Sequence, residues 1–208
     1  MKRFLLLLML LLSSSVAASE THYTDEALEC MKERKCTSGV EKVSLKGQLK
    51  ETKTILKNLE QMGVEVYNAK SIYFTENYRA LYFPDKNAIY INKKYINVEG
   101  ELSFLQILRH EAWHAAQDCM AGTVNNSDIS SIFSHEDIPK HIIEETFARY
   151  GYSDPEVIRI EREAVWVMYE PNMTIKALEA CNSDTPIWET YLPPKRTWKY
   201  LYINSFLW

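Results

Sequence analysis

Between residues 41 and 62, Leu45, Leu49, Leu56 and Leu59 recur at helical spacing, with lysines and glutamates between them. The pattern predicts a long amphipathic helix, closed by Gly63, because glycine readily takes the left-handed conformation that ends helices. The period then shortens. Residues 64–67, 71–74, 80–83 and 88–91 are brief aromatic or β-branched runs, broken by Asn, Asp, Pro and Lys. They predict a small sheet, with "PDKN" as a hairpin turn. Next comes "LSFLQILRHEAWHAAQD", a second helix whose Ser103 and Gln106 have the spacing of a capping box, with Gly122 just past its end. After the polar loop "TVNNSDISS", helices are predicted over 139–150, 155–170 and 173–181, with Pro155 well placed at a first helical position. The tail "PIWETYLPPKRTWKYLYINSFLW" is too rich in Pro and aromatics for a helix, and packing of its rings would order it.

Strands followed by helices, in 208 residues without internal repeats, read as a single α+β domain. The first residues stand apart. "MKRFLLLLMLLLSSSVAAS" carries Lys2 and Arg3, an apolar run over 4–12 and small residues up to Ala18, the layout of a secretory signal peptide cleaved after Ala18. The run is too short to span a bilayer, which needs about 20 apolar residues. The expectation is therefore a secreted or periplasmic protein without a stable membrane anchor. About 20 residues separate this leader from the first helix, too few for a long inhibitory pro-segment. Removing Lys2 and Arg3 leaves 22 basic against 28 acidic residues, and no basic cluster for nucleic acid. In an exported chain, Cys30, Cys36, Cys119 and Cys181 favour two disulfides, with three pairings possible. Cys30 and Cys36 are near enough to close a small loop, which would leave Cys119 for Cys181. No C-x-x-C pair supports a cysteine-rich zinc site.

The candidate chemistry lies in His110-Glu111-Ala112-Trp113-His114, an H-E-x-x-H pattern. On a helix, two histidines four residues apart stand one above the other, so both can reach one Zn2+. Glu111 projects beside the metal position, where it can serve as general base toward water. A catalytic zinc needs a third protein ligand. Glu144 and Glu145 fall opposite the apolar side formed by Ile142, Ile143, Phe147 and Tyr150, and read as solvated charges. Glu161 is different: Val157, Ile158, Ala164 and Val165 surround it at helical spacing, and a carboxylate in an apolar stripe needs a partner or a metal. Glu161 ranks first as the third ligand, Glu163 second, and His135 or His141 after them. The bland reading of Glu161 is a buried ion pair with Arg159, Arg162 or a lysine.

These residues resemble the zincin metallopeptidases, and among them the gluzincins, whose third ligand is a glutamate. "HEAWH" matches the defining motif. "YRALYFPDKNAIYI" is placed like the strands that line the zincin cleft and pair with extended substrate. "EREAVWVM" is similar to the E-x-x-A segment that supplies the glutamate, with Glu161 and Ala164 at the matching positions. The resemblance covers residues 80–168. It implies a zincin-like domain with a small mixed sheet packed on the motif helix, and zinc-dependent peptide hydrolysis. His110, His114 and Glu161 would be ligands, and Glu111 the base. It departs in one place: many gluzincins follow that Ala with an acidic residue or Asn supporting a ligand histidine, and here Val165 stands there. Asp118 is a candidate for that supporting role, and an exposed helix charge is the alternative. Tyr150 and Tyr152 could supply the transition-state donor that some zincins use, against a plain packing role. Two rival functions are a non-enzymatic binding protein on the same scaffold and a zinc amidase acting on cell-wall peptide.

Overall fold

The computed structural model describes residues 30–183, apart from 32, 37, 75–77, 122–123, 125–128, 134–136 and 152. The leader, Gly122, His135, Tyr152 and the aromatic tail lie outside the described residues. Within them run β1 (Val40–Lys42), α1 (Lys50–Gln61), β2 (Glu65–Ala69), β3 (Ala80–Phe83), β4 (Ala88–Asn92), α2 (Lys93–Met120), α3 (Lys140–Tyr150), α4 (Pro155–Met168) and α5 (Met173–Cys181). The architecture is α+β with a four-stranded mixed sheet ordered β1-β2-β4-β3. β2 and β4 are parallel, while the outer strands pair antiparallel.

Strand alternation builds two cores from one sheet. Ile89 and Ile91 of β4 and Ala80 of β3 join the main core with α1, α2, α4 and α5. Ala88, Tyr90 and Phe83 face the other way, into a smaller cluster around Met31 that the Cys30–Cys36 loop closes. Both faces are therefore covered, and every residue of β4 is buried.

Several predicted boundaries move for identifiable reasons. The first helix starts at Lys50, because Val40–Lys42 pairs with β2 and Gly47, at φ 83°, breaks the chain in between. Gly63 does close that helix: Val64 N–H reaches Leu59 O (2.8 Å) and Gly63 N–H reaches Glu60 O (3.1 Å), a Schellman motif. Ser71–Tyr73 is a 3-10 turn and not a strand. The motif helix shares a long helical segment with an earlier piece, interrupted at Gly100 (φ 81°, ψ −169°), a conformation that L-residues avoid. Ser103 thus lies inside the restarted helix and is buried, so the expected capping box does not cap. Asn92, whose side chain accepts from Lys94 N–H, caps the piece before Gly100. The helix predicted over 155–170 begins at Pro155 as expected, with Asp154 accepting from Glu156 N–H, and ends at Met168.

Two long-range ties hold the helices. Cys119–Cys181 joins the ends of α2 and α5 across 62 residues, the pairing that the Cys30–Cys36 loop leaves over. Arg109, buried on α2, donates Nε and Nη2 to Glu51 of α1 (2.8 and 2.7 Å) and Nη1 to Met168 O of α4 (3.1 Å). Glu51 also accepts Asn172 N–H just before α5. Burial favours the neutral carboxyl of Glu51, but the bonds from Arg109 and Asn172 outweigh it and hold its pKa below the ordinary value.

Replacing Cys119 and Cys181 together by Ser should lower unfolding free energy by about 4 kcal/mol, the chain-entropy value for a loop of this length, read from denaturant melts. The Glu51 carboxylate has a depressed folded pKa, so its contribution is present above the unfolded value of about 4.3 and is lost as pH falls through the folded one. In Glu51→Gln, stability should be lower at neutral pH and fall less steeply on acidification. An acid limb unchanged from wild type would contradict this.

Candidate metal centre

Residues 111–118 of α2 are all buried, yet four of the eight are polar. With His110, the polar positions are 110, 111, 114, 117 and 118, a polar stripe at helical spacing inside the core. The stripe faces two elements, α4 on one side and the edge strand β3 on the other.

Toward α4, His110 Nε2 lies 3.3 Å from one oxygen of Glu161, and His114 Nε2 lies 3.5 Å from the other. The three ligand-type atoms fall within 4.8 Å of one another. Tyr150, at the end of α3, bonds its hydroxyl to the same carboxylate. Glu161 Oε2 is buried and meets no hydrogen bond of proper geometry. Two imidazole nitrogens, a carboxylate and an under-satisfied buried oxygen are a donor set that suits zinc, which takes N and O ligands in this number at catalytic sites. His110, His114 and Glu161 are thus a group that could hold a metal ion.

Toward β3, the ladder determines what reaches Glu111. Asn92 N–H bonds to Arg79 O (2.8 Å), and antiparallel alternation then turns the N–H and C=O of Ala80 and Tyr82 away from β4, toward the free edge. Tyr82 N–H is donated to the Glu111 carboxylate. The Tyr82 side chain points to the helix layer and donates its hydroxyl to Asp118 Oδ2 (2.6 Å).

Charge is concentrated here. For Glu161, burial raises the pKa, but the charge of His114 and the bonds from His110 and Tyr150 prevail and hold it at about 2. Burial opposes the charged form of His110, and Glu161 beside it prevails, so its pKa stands above the ordinary histidine value. His114 is held below that value by burial, which Glu161 only partly offsets. Burial pushes Glu111 up to about 7, against the charge of His110 and with the repulsion of Glu161. That is the range in which a carboxylate exchanges protons readily at neutral pH.

The other candidate ligands are placed elsewhere. Glu163 is fully buried but points away from the imidazoles. It accepts from Trp113 Nε1 (3.2 Å), Gln117 Nε2 (2.8 Å) and the backbone N–H groups of Ile132 and Phe133 (2.9 and 2.8 Å). Arg159, named above as an ion-pair partner in the bland reading of Glu161, pairs with Glu156 instead. His141 is exposed on α3. Glu144 is exposed as read, while Glu145 is part-buried between Arg149 and Tyr169. Phe147, assigned to the apolar side of α3, is 61% exposed. Asp118 is buried and accepts from the Tyr82 hydroxyl, so it is not the exposed helix charge of the alternative reading. The side chain that faces His114 Nδ1 is Gln117, whose Oε1 lies 2.8 Å away. Sequence reasoning passed over Gln117, although its position three residues after His114 puts it on the same helical face. It also favoured a core or surface role for Tyr150, because thirteen tyrosines dilute the signal.

No family model, curated protein or solved structure matches this chain.

Zinc added to the metal-free protein should raise its unfolding temperature, by the equivalent of about 2.7 kcal/mol at a hundredfold excess over Kd. His114→Ala should abolish the shift and His141→Ala should retain it, both read by calorimetry. Retention in His114→Ala would remove the metal centre from this position.

Proposed function

We propose that the chain is an exported zinc-dependent hydrolase of peptide bonds, of the gluzincin type. The observation that carries the reading is the convergence of His110, His114 and Glu161 within 4.8 Å, with Glu111 buried beside them as a second carboxylate. His110, His114 and Glu161 would hold Zn2+ as protein ligands. When bound, zinc supplies Lewis acidity, which lowers the pKa of water toward about 7 and polarises a carbonyl.

The chain's own residues would do the rest. Glu111, one position from a ligand and steadied by Tyr82 N–H, accepts the proton of the attacking water and passes it to the leaving amine. On the outer side of β3, the N–H and C=O of Ala80 and the C=O of Tyr82 offer an extended peptide a strand to pair with. Tyr150, whose hydroxyl bonds to Glu161, would steady that carboxylate as a ligand. A site that only stabilises the fold needs no carboxylate in the place of Glu111, which favours an enzyme over a binding protein. Two disulfides, and the absence among the described residues of a helix able to cross a membrane, are consistent with an extracellular location.

The test is zinc content and hydrolysis of casein and of cell-wall peptide by the mature protein. Glu111→Gln should keep one zinc per chain and lose about 10²–10⁴-fold in rate. Glu161→Gln should lose both zinc and activity. Wild type that binds zinc yet cleaves neither substrate class would overturn the hydrolase reading.

A further inference from the structure

Glu163 is a fully buried carboxylate, and the cleavage chemistry above makes no use of it. It has no ion-pair partner among the described residues; four N–H donors surround it instead. Ile132 and Phe133 supply backbone N–H groups, Trp113 its indole, and Gln117 its amide nitrogen. Such a shell offsets part of the cost of burying a carboxylate without a cation, and burial still holds the Glu163 pKa above its ordinary value.

The shell also dictates the orientation of Gln117. Its Nε2 faces two acceptors, Glu163 Oε2 at 2.8 Å and Ile160 O at 3.0 Å. Reversing the amide would set its oxygen against both. Oε1 is therefore the atom that faces His114 Nδ1 at 2.8 Å. An amide oxygen can only accept, so Nδ1 must carry the proton. The lone pair of His114 is then on Nε2, the atom facing Glu161.

We propose that Glu163 and Gln117 form a positioning relay that sets the tautomer of His114, so that Nε2 is ready for zinc before the metal arrives. Neither residue touches the metal position. Glu163 acts through Gln117, and Gln117 acts through His114. The relay also ties that histidine to the segment after the polar loop, since Ile132 and Phe133 bond to Glu163, Ser130 N–H bonds to Gln117 O, and Phe133 stacks on Trp113 at 5.2 Å between ring centroids. The value of the relay to catalysis rests on the zinc reading above; the tautomer does not.

Glu163→Gln gives the sharpest test. If its oxygen keeps the two backbone N–H groups, its amide nitrogen faces Gln117, which answers it by reversing and gives up its bond to Ile160 O. The reversed Gln117 would present N–H to His114 Nδ1, and the proton would move to Nε2. Gln117→Met removes the acceptor while keeping volume. Leu59→Ala, a buried core substitution on α1, is the control for simple loss of stability.

The readout is the 15N–1H correlation of the imidazoles in the metal-free protein at neutral pH, with zinc affinity from competition against a chelating dye. The expected result is Nδ1–H for His114 in wild type and in Leu59→Ala, and Nε2–H or a mixture in the two relay variants. The relay variants should also bind zinc about 10–100-fold more weakly. An Nε2–H tautomer in wild type would overturn the relay, as would an unchanged tautomer in both variants. Wild type with Nδ1–H that binds no zinc would retain the relay and reject the metal reading, so the two failures are distinguishable.

Discussion

A carboxylate taken out of water between two helices must be answered by positive charge or by donors, and the centre of this protein holds several at once. Glu111, Glu163 and Asp118 are buried, Glu161 nearly so, all within one turn or two of each other on α2 and α4. Three of them have protein answers: Tyr82 N–H for Glu111, the Tyr82 hydroxyl for Asp118, and the four-sided N–H shell for Glu163. Among the described residues, Glu161 has Tyr150 and two imidazoles that are neutral in the form needed to bind a metal. A divalent cation at that point would offset the excess negative charge. The energetic incentive is large, because an uncompensated charge in a dry interior costs several kcal/mol even after relaxation.

The rest of the fold holds the elements that meet there. α2 runs through the middle of the molecule and packs on β3, β4, α4 and α5. On the side away from the imidazoles, Arg109 binds α1, the end of α4 and, through Glu51, the turn into α5. Cys119–Cys181 secures the far end. His110 is thus placed next to a fixed arginine, and His114 is placed by Gln117. The free edge of β3 is held against the same helix by Tyr82, whose backbone and side chain both reach it.

Much of this was legible in the residues. The Gly63 helix end, the Pro155 helix start, the strand at 80–83 and the helix at 173–181 follow from local chemistry and hold. The meeting of Glu161 with the two histidines was legible as well, because an acid in an apolar stripe conflicts with local consistency and calls for a partner. What escaped depends on partners distant in sequence. β1 looks helical until β2 offers it a ladder, and 71–74 looks extended although its backbone closes on itself. Ser103 has the spacing of a cap, but Gly100 restarts the helix before it. Gln117 and Glu163 acquire meaning only once α2 and α4 lie side by side. Glu163, read as a possible ligand, is buried for a different reason, its shell of N–H donors.

Diffraction at the zinc absorption edge from crystals of the zinc-loaded protein bears most directly on the central claim. The account predicts one anomalous peak, about 2.0–2.2 Å from His110 Nε2, His114 Nε2 and a carboxylate oxygen of Glu161, with an open position toward Glu111. A peak at Glu163 or His141, or none between the two imidazoles, would contradict it.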